Sequence, residues 1–511
     1  MTNLSLDKLR RAAKGLRKDH AAGVPHALER LRVHPPRSDG AALRHADYLH
    51  VIAREQNFAS WPALKLAAET MGLDRAARQQ RLKLALAHGQ TVVVQHLLQE
   101  TPDLAEGLLG CAIALYDVEA VRAALWDDPA AATKQLGPRS PMVHLCFSKM
   151  IHVWPEREAA MLEIAEMLRA GGADVNDALP GPDGHGLSVL YGALGHADNM
   201  VLAQWLLDHG ADPNDGESLY HSVELGHHRG LKMLLAAGAN PKGTNALLRA
   251  LDFNDHEAVR LLLAAGADVT EFAPDPVGGE APWVIPALHQ AARRMCDREM
   301  VEILLDAGAD PADVFEGATA YGYGRVFGND ALAAAVEARG APALSDLEDL
   351  LARAAKGEVP DGRYIDPAQL PEAYRHLLHN IVGLKGKLPH MQALVALGME
   401  FDRPDTQGLP PVQLAGWEGL PEVMGYFLSQ SPDLSHVNGY GGTLLSTIIH
   451  GSENCPNRAS RDHITCLEMA LTHGVALPRQ AIDLAGDPEV AGFLRDWGQR
   501  YPGQLVEGGL G

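Results

Sequence analysis

The words LLDHGADPND, LLAAGANPKG, LLAAGADVTE and LLDAGADPAD recur between residues 206 and 313. Their glycines, Gly210, Gly238 and Gly266, stand 28 residues apart, with Gly308 following after 42 and Gly340 after a further 32. Such self-similarity is the mark of a stacked array, in which no unit buries its apolar face alone. Each unit carries an apolar segment such as SLYHSVELG and then a second such as LKMLLAAG. Both have apolar residues at helical spacing, and the glycine closing the second is a helix stop that accepts positive φ. The unit is a helical hairpin, and the fold class is all-α.

PALHQAA at 286–292 and LLDAGADP at 304–311 carry the two landmark phrases of ankyrin repeats, while ESLYHSV and TNALLRAL keep the register with other polar residues. The chain thus resembles ankyrin-repeat proteins, and the resemblance implies an ankyrin-repeat solenoid preceded by a small N-terminal helical cap. Residues 1–75 form that cap, 79–340 the array, 341–384 an irregular helical junction, 385–497 degenerate ankyrin-like repeats and 498–511 a tail. The cap contains the basic stretch LDKLRRAAKGLRK, and NFASWPALK resembles a segment that often precedes such arrays in bacterial proteins. The family period is about 33 residues, so 28-residue spacings imply trimmed β-turn fingers in the central units. EFAPDPVGGEAPWVIP and ALPGPDGHG, rich in proline and glycine, read as long loops on the finger edge.

Sixty-five acidic against 44 basic residues give a formal charge of −21. That balance argues against nucleic acid or an anionic membrane as partner. The opening residues lack the apolar core of a secretory signal, and no run approaches the roughly 18 apolar residues of a membrane span. A cytoplasmic protein is expected, with Cys111, Cys146, Cys296, Cys455 and Cys466 reduced and mostly acting as small core residues. No motif calls for a cofactor or a metal; His227 and His228 lack further ligands nearby.

The resemblance implies a protein or peptide partner in a concave groove lined by the fingers and the first helix of each unit. Its register assigns to that face His196; His221 and Glu224; Arg249, Asp252 and Phe253; Gln290, Arg293 and Arg294; Tyr323 and Phe327; and, later, Trp417. Rings and guanidinium groups supply most interface energy, and the Arg293/Arg294 pair suits an anionic group. On this reading Arg293→Ala abolishes binding and leaves the melting temperature nearly unchanged. The alternative is an enzyme or small-molecule receptor in the groove of residues 185–330, with His221, Asp252, Arg249 and Arg293 for proton transfer and anion stabilisation. His289 holds the family histidine that satisfies backbone groups between repeats. HGSENCPNR, 450–458, reads as a polar loop bearing a Cys–His pair, and GYGRVFG, 322–328, as part of a first helix. GLKGKLP, 383–389, lacks the glycine spacing of a phosphate loop.

Overall fold

The computed structural model describes residues 6–36, 43, 45–181, 185–272 and 284–507. Most of the proline- and glycine-rich stretch 271–286 therefore lies outside the described residues, as does the tip of 178–186. The chain divides into two compact units. One takes in the described residues up to Ala250 together with Glu257–Ala267; the other holds Leu251–His256, Asp268–Phe272 and the chain from Val284 onward.

The first unit opens with the helices Leu6–Ala21, Pro25–Val33, His45–Glu55 and Trp61–Thr70. Leu16, Leu31, Tyr48, Trp61 and Leu64 join in one apolar cluster, and Ser60 caps the fourth helix through the Ala63 amide. Hairpins follow. The first helices Arg75–Ala87, Leu109–Ala114, Pro141–Cys146, Val189–Tyr191 with its π-turn Gly192–His196, and Ser218–Ser222 pack one on the next. The second helices Val118–Asp127, Glu158–Ala170, Met200–Asp208 and Arg229–Ala236 form a parallel row.

The second unit repeats the scheme. Ala287–Arg293, Ala320–Phe327 and Asp346–Ala354 stack in turn, as do Leu377–Ile381, Pro411–Trp417 and Leu444–Asn454. Behind them, Arg298–Asp306 packs on Asp330–Glu337, and Pro421–Ser429, His463–Thr472 and Pro488–Arg500 pack in sequence. Within residues 341–384 the helix Asp346–Ala354 starts with a full capping box, Ser345 with Glu348. The end of the chain folds back, Leu477–Pro478 pairing in parallel with Leu505–Val506.

Glycine explains where the second helices stop. Gly210, Gly238, Gly266, Gly308 and Gly340 all have φ between +91° and +100°, a conformation that a side chain disfavours. Two short antiparallel hairpins project between helix pairs, Ala178–Pro180 with Gly186–Ser188 and Val314–Phe315 with Ala318–Thr319. The second turns through Glu316 and Gly317, both at positive φ, the geometry that matches strand twist in a two-residue turn. Among the described residues no helix is long and apolar enough to cross a membrane, and none of their His, Cys, Asp and Glu cluster so as to hold a metal. All five cysteines are buried.

Candidate functional site

In the first unit the carboxylate of Asp215 accepts the Glu217 and Ser218 amides at 2.9 and 2.8 Å, setting the start of the helix Ser218–Ser222. That places Glu217, fully buried, one turn before His221. The His185 ring meets one Glu217 oxygen, and His221 Nε2 lies 3.3 Å from the other. His221 Nδ1 is 2.8 Å from Glu224, whose second oxygen accepts from Arg249 Nε at 2.8 Å. The Arg249 guanidinium also lies over the Tyr220 ring, 5.7 Å from its centroid.

These charges decide what His221 can do. Burial disfavours its cation, but Glu217 and Glu224 outweigh that and raise its pKa to about 9. Burial likewise pushes Glu224 up, yet His221 and Arg249 hold it below the usual carboxylate range. An imidazolium, with both nitrogens protonated, has no lone pair to take a proton at neutral pH. The arrangement therefore does not favour His221 as a general base. His196 is the opposite case: burial, helped by the charges of Lys149 and Arg139, lowers it to about 4, and its ring packs 5.3 Å from Phe147.

The second unit brings together another group of the expected residues. Asp252, only 7% exposed, accepts from Gln290 and, at 2.7 Å, from Arg294 Nε. Gln290 is fully buried and accepts from Arg293 Nη2 at 2.7 Å. Phe253 stays half exposed. Burial is the main influence on the Arg293 guanidinium and lowers its pKa. Its hydrogen bond to a buried amide ties Arg293 to the first helix of its hairpin, an argument against a structurally silent removal. Arg293→Ala is expected to cost about 1–2 kcal/mol and to lower the melting temperature by several degrees in a thermal scan.

Tyr323 and Phe327 were expected on the groove and lie in the interior instead. Phe327 is wholly buried and Tyr323 is 3% exposed. Their rings stack at 4.2 Å, and Tyr374, from the short helix Glu372–Arg375, covers Tyr323 at 6.0 Å. His289 is buried, its Nε2 3.1 Å from the Ala318 carbonyl, the backbone role that the resemblance implied. His227 and His228 face Asp198 at 2.9 Å and Glu257 at 3.4 Å.

Trp417 borders a recess of about 640 Å³ in the second unit. Leu409, Leu414, Tyr440, Ser446, Thr447 and His450 complete most of its wall. The recess is held open by a buried amide: Asn438 donates to Gln413 at 2.9 Å and to Thr447 at 3.0 Å, and accepts from the Tyr440 and Gly442 amides. That network fixes the turn 438–442 and leaves the Tyr440 ring 72% exposed at the rim. Tyr440 escaped the sequence reading because it sits in a turn, outside the helical register; an aromatic residue in NGYGG was the available signal. HGSENCPNR also needs correction, because His450 to Asn454 continue the helix Leu444–Asn454. His450 faces Asn454 at 3.1 Å, while Cys455 is fully buried with its sulfur 3.7 Å from Glu418. Burial raises the Cys455 thiol above its ordinary value, which disfavours the thiolate.

Comparison with known proteins agrees with this architecture. A model of ankyrin repeats in three copies matches residues 190–273, and a single ankyrin-repeat model matches 286–314. No curated protein matches the chain. Among solved structures, the human ASB11 ankyrin repeat domain aligns at 21% identity over 48% of this chain and 95% of that one, with a TM-score of 0.32. The chain carries ankyrin repeats and has an all-α ankyrin-repeat fold. Such repeats serve in general as protein-interaction scaffolds.

Proposed function

We propose that this chain is a cytoplasmic scaffold that binds a protein or peptide partner against its first helices and the turns joining its hairpins. The recess around Trp417 and Tyr440 is the anchor of that surface. One observation carries the reading: an indole and a largely exposed phenol flank a concavity of about 640 Å³ beside which Asn438 is held by Gln413 and Thr447. Aromatic anchors beside a preformed concavity are what an interface hot spot needs. The pairs Glu224–Arg249 and Asp252–Arg294 supply charged rims in the two units, and a partner carboxylate would compete with Asp252 for Arg294. We place the cap at 1–75, the array at 79–340, the junction at 341–384 and the degenerate repeats at 385–497, followed by the tail.

The test uses the whole chain as bait in an extract of its host, with retained proteins identified by mass spectrometry. Tyr440→Ala and Trp417→Ala should each reduce retention of the specific partner at least about tenfold, the hot-spot loss of 1.4 kcal/mol or more. Trp126→Ala, altering an 86% exposed ring of the first unit, should leave it unchanged. Equal retention by all variants refutes the recess as the anchor.

A further inference from the structure

A second concavity, of about 270 Å³, lies in the second unit where the turns of consecutive hairpins meet. Its wall includes Arg325 and Gly328 from one hairpin, Lys356 from the next, and Lys385 and Lys387 from the loop before the helix Leu388–Ala396. Four cationic side chains thus face one small space, with Asp330 as the single acid in its lining. In a chain of net charge −21 that concentration of like charge is unusual. Like charges repel, and packing them together is unfavourable unless something offsets them.

Two of the four are tied into the fold. Lys387 Nζ donates to the Phe327 and Gly328 carbonyls at 2.8 and 2.9 Å, closing the end of the helix Ala320–Phe327. Arg325 donates to Tyr321 and to Glu337, at 2.8 and 2.7 Å. The exposed ammonium groups of Lys356 and Lys385 make no hydrogen bond or ion pair among the described residues. The cavity therefore combines two cations tied into the fold with two exposed cations that have no partner among the described residues.

We propose that this concavity binds a phosphate monoester dianion. Lysines act as point charges toward phosphate, and converging ammonium groups favour a compact dianion over a single carboxylate. The loop GLKGKLP lacks the glycine spacing of a phosphate-cradling loop, so side chains, not backbone amides, hold the anion. The same chemistry is offered by a free ester and by a phosphorylated side chain on a partner. This site is independent of the Trp417 recess.

The full chain is titrated calorimetrically at low salt with inorganic phosphate, O-phosphoserine and serine. Saturable binding of one equivalent of phosphate and of O-phosphoserine, without binding of serine, is expected. Tighter binding of O-phosphoserine than of phosphate supports the ester as the ligand; equal or weaker binding overturns the ester and leaves a site for the free ion. The double variant Lys356→Gln/Lys385→Gln should weaken binding roughly tenfold or more with no change in melting temperature, because both side chains are exposed. Absence of saturable binding by the native chain, or undiminished affinity in the double variant, overturns the proposal.

Discussion

Between pH 6.5 and 9 the chain should lose about 3 kcal/mol of stability as the His221 imidazolium titrates. The folded-state pKa is raised from 6.5 to about 9, so the stabilisation is complete below the unfolded value and disappears as pH climbs through the folded one. The magnitude survives solvent screening because the His221 side chain is 19% exposed and Glu217 is fully buried. His196 and His379, lowered by burial to about 4, act in the opposite sense. Their contribution is present above 6.5 and is lost as pH falls toward 4. Stability should therefore peak near pH 6.5, with the alkaline side assigned to His221. Urea midpoints measured across this range should show that shape. His221→Gln should be less stable at pH 6 and nearly flat from 6.5 to 9; an unchanged alkaline slope in the variant contradicts the assignment.

Gly451→Ala is expected to destabilise by at least about 2 kcal/mol, against the usual sign for a glycine inside a helix, where alanine is better by about 1 kcal/mol. The reason is a close crossing of two first helices. A Cβ at Gly451 would lie 2.8 Å from both Cα and C of Trp417 and closer still to its carbonyl oxygen. Backbone cannot rotate away as a side-chain tip can, so Pro411–Trp417 or Leu444–Asn454 must shift. The same oxygen accepts from His463 Nε2 at 2.9 Å, so the shift disturbs a second hairpin. A drop of roughly 4–8 °C in melting temperature is expected. A stabilised variant would show that the helices are further apart than described.

The hairpin period was legible because it is written in backbone chemistry: the glycines after the second helices mark positive φ, and apolar spacing marks the packed faces. The register alone puts GYGRVFG in a helix, and its residues 322–327 lie within Ala320–Phe327 with Gly328 as the C-cap. What the register could not convey is which first-helix positions a distant segment covers. Tyr323 is covered by Tyr374, some fifty residues on, and Phe327 is buried beneath the Tyr323 ring. Glu217 opens ESLYHSV, and no periodicity in the sequence shows that His185, from a neighbouring hairpin, meets its carboxylate. Tyr440 belongs to a turn whose conformation depends on a buried Asn438, and no periodicity reports that.

Hydrogen exchange on the chain with its captured partner tests the central claim most directly, because it reports where the partner sits. The account predicts slowed exchange in residues 407–417 and 438–450, around Trp417 and Tyr440, relative to the free chain. Protection confined to the second helices, such as Pro421–Ser429 and His463–Thr472, with the recess unprotected, would contradict it.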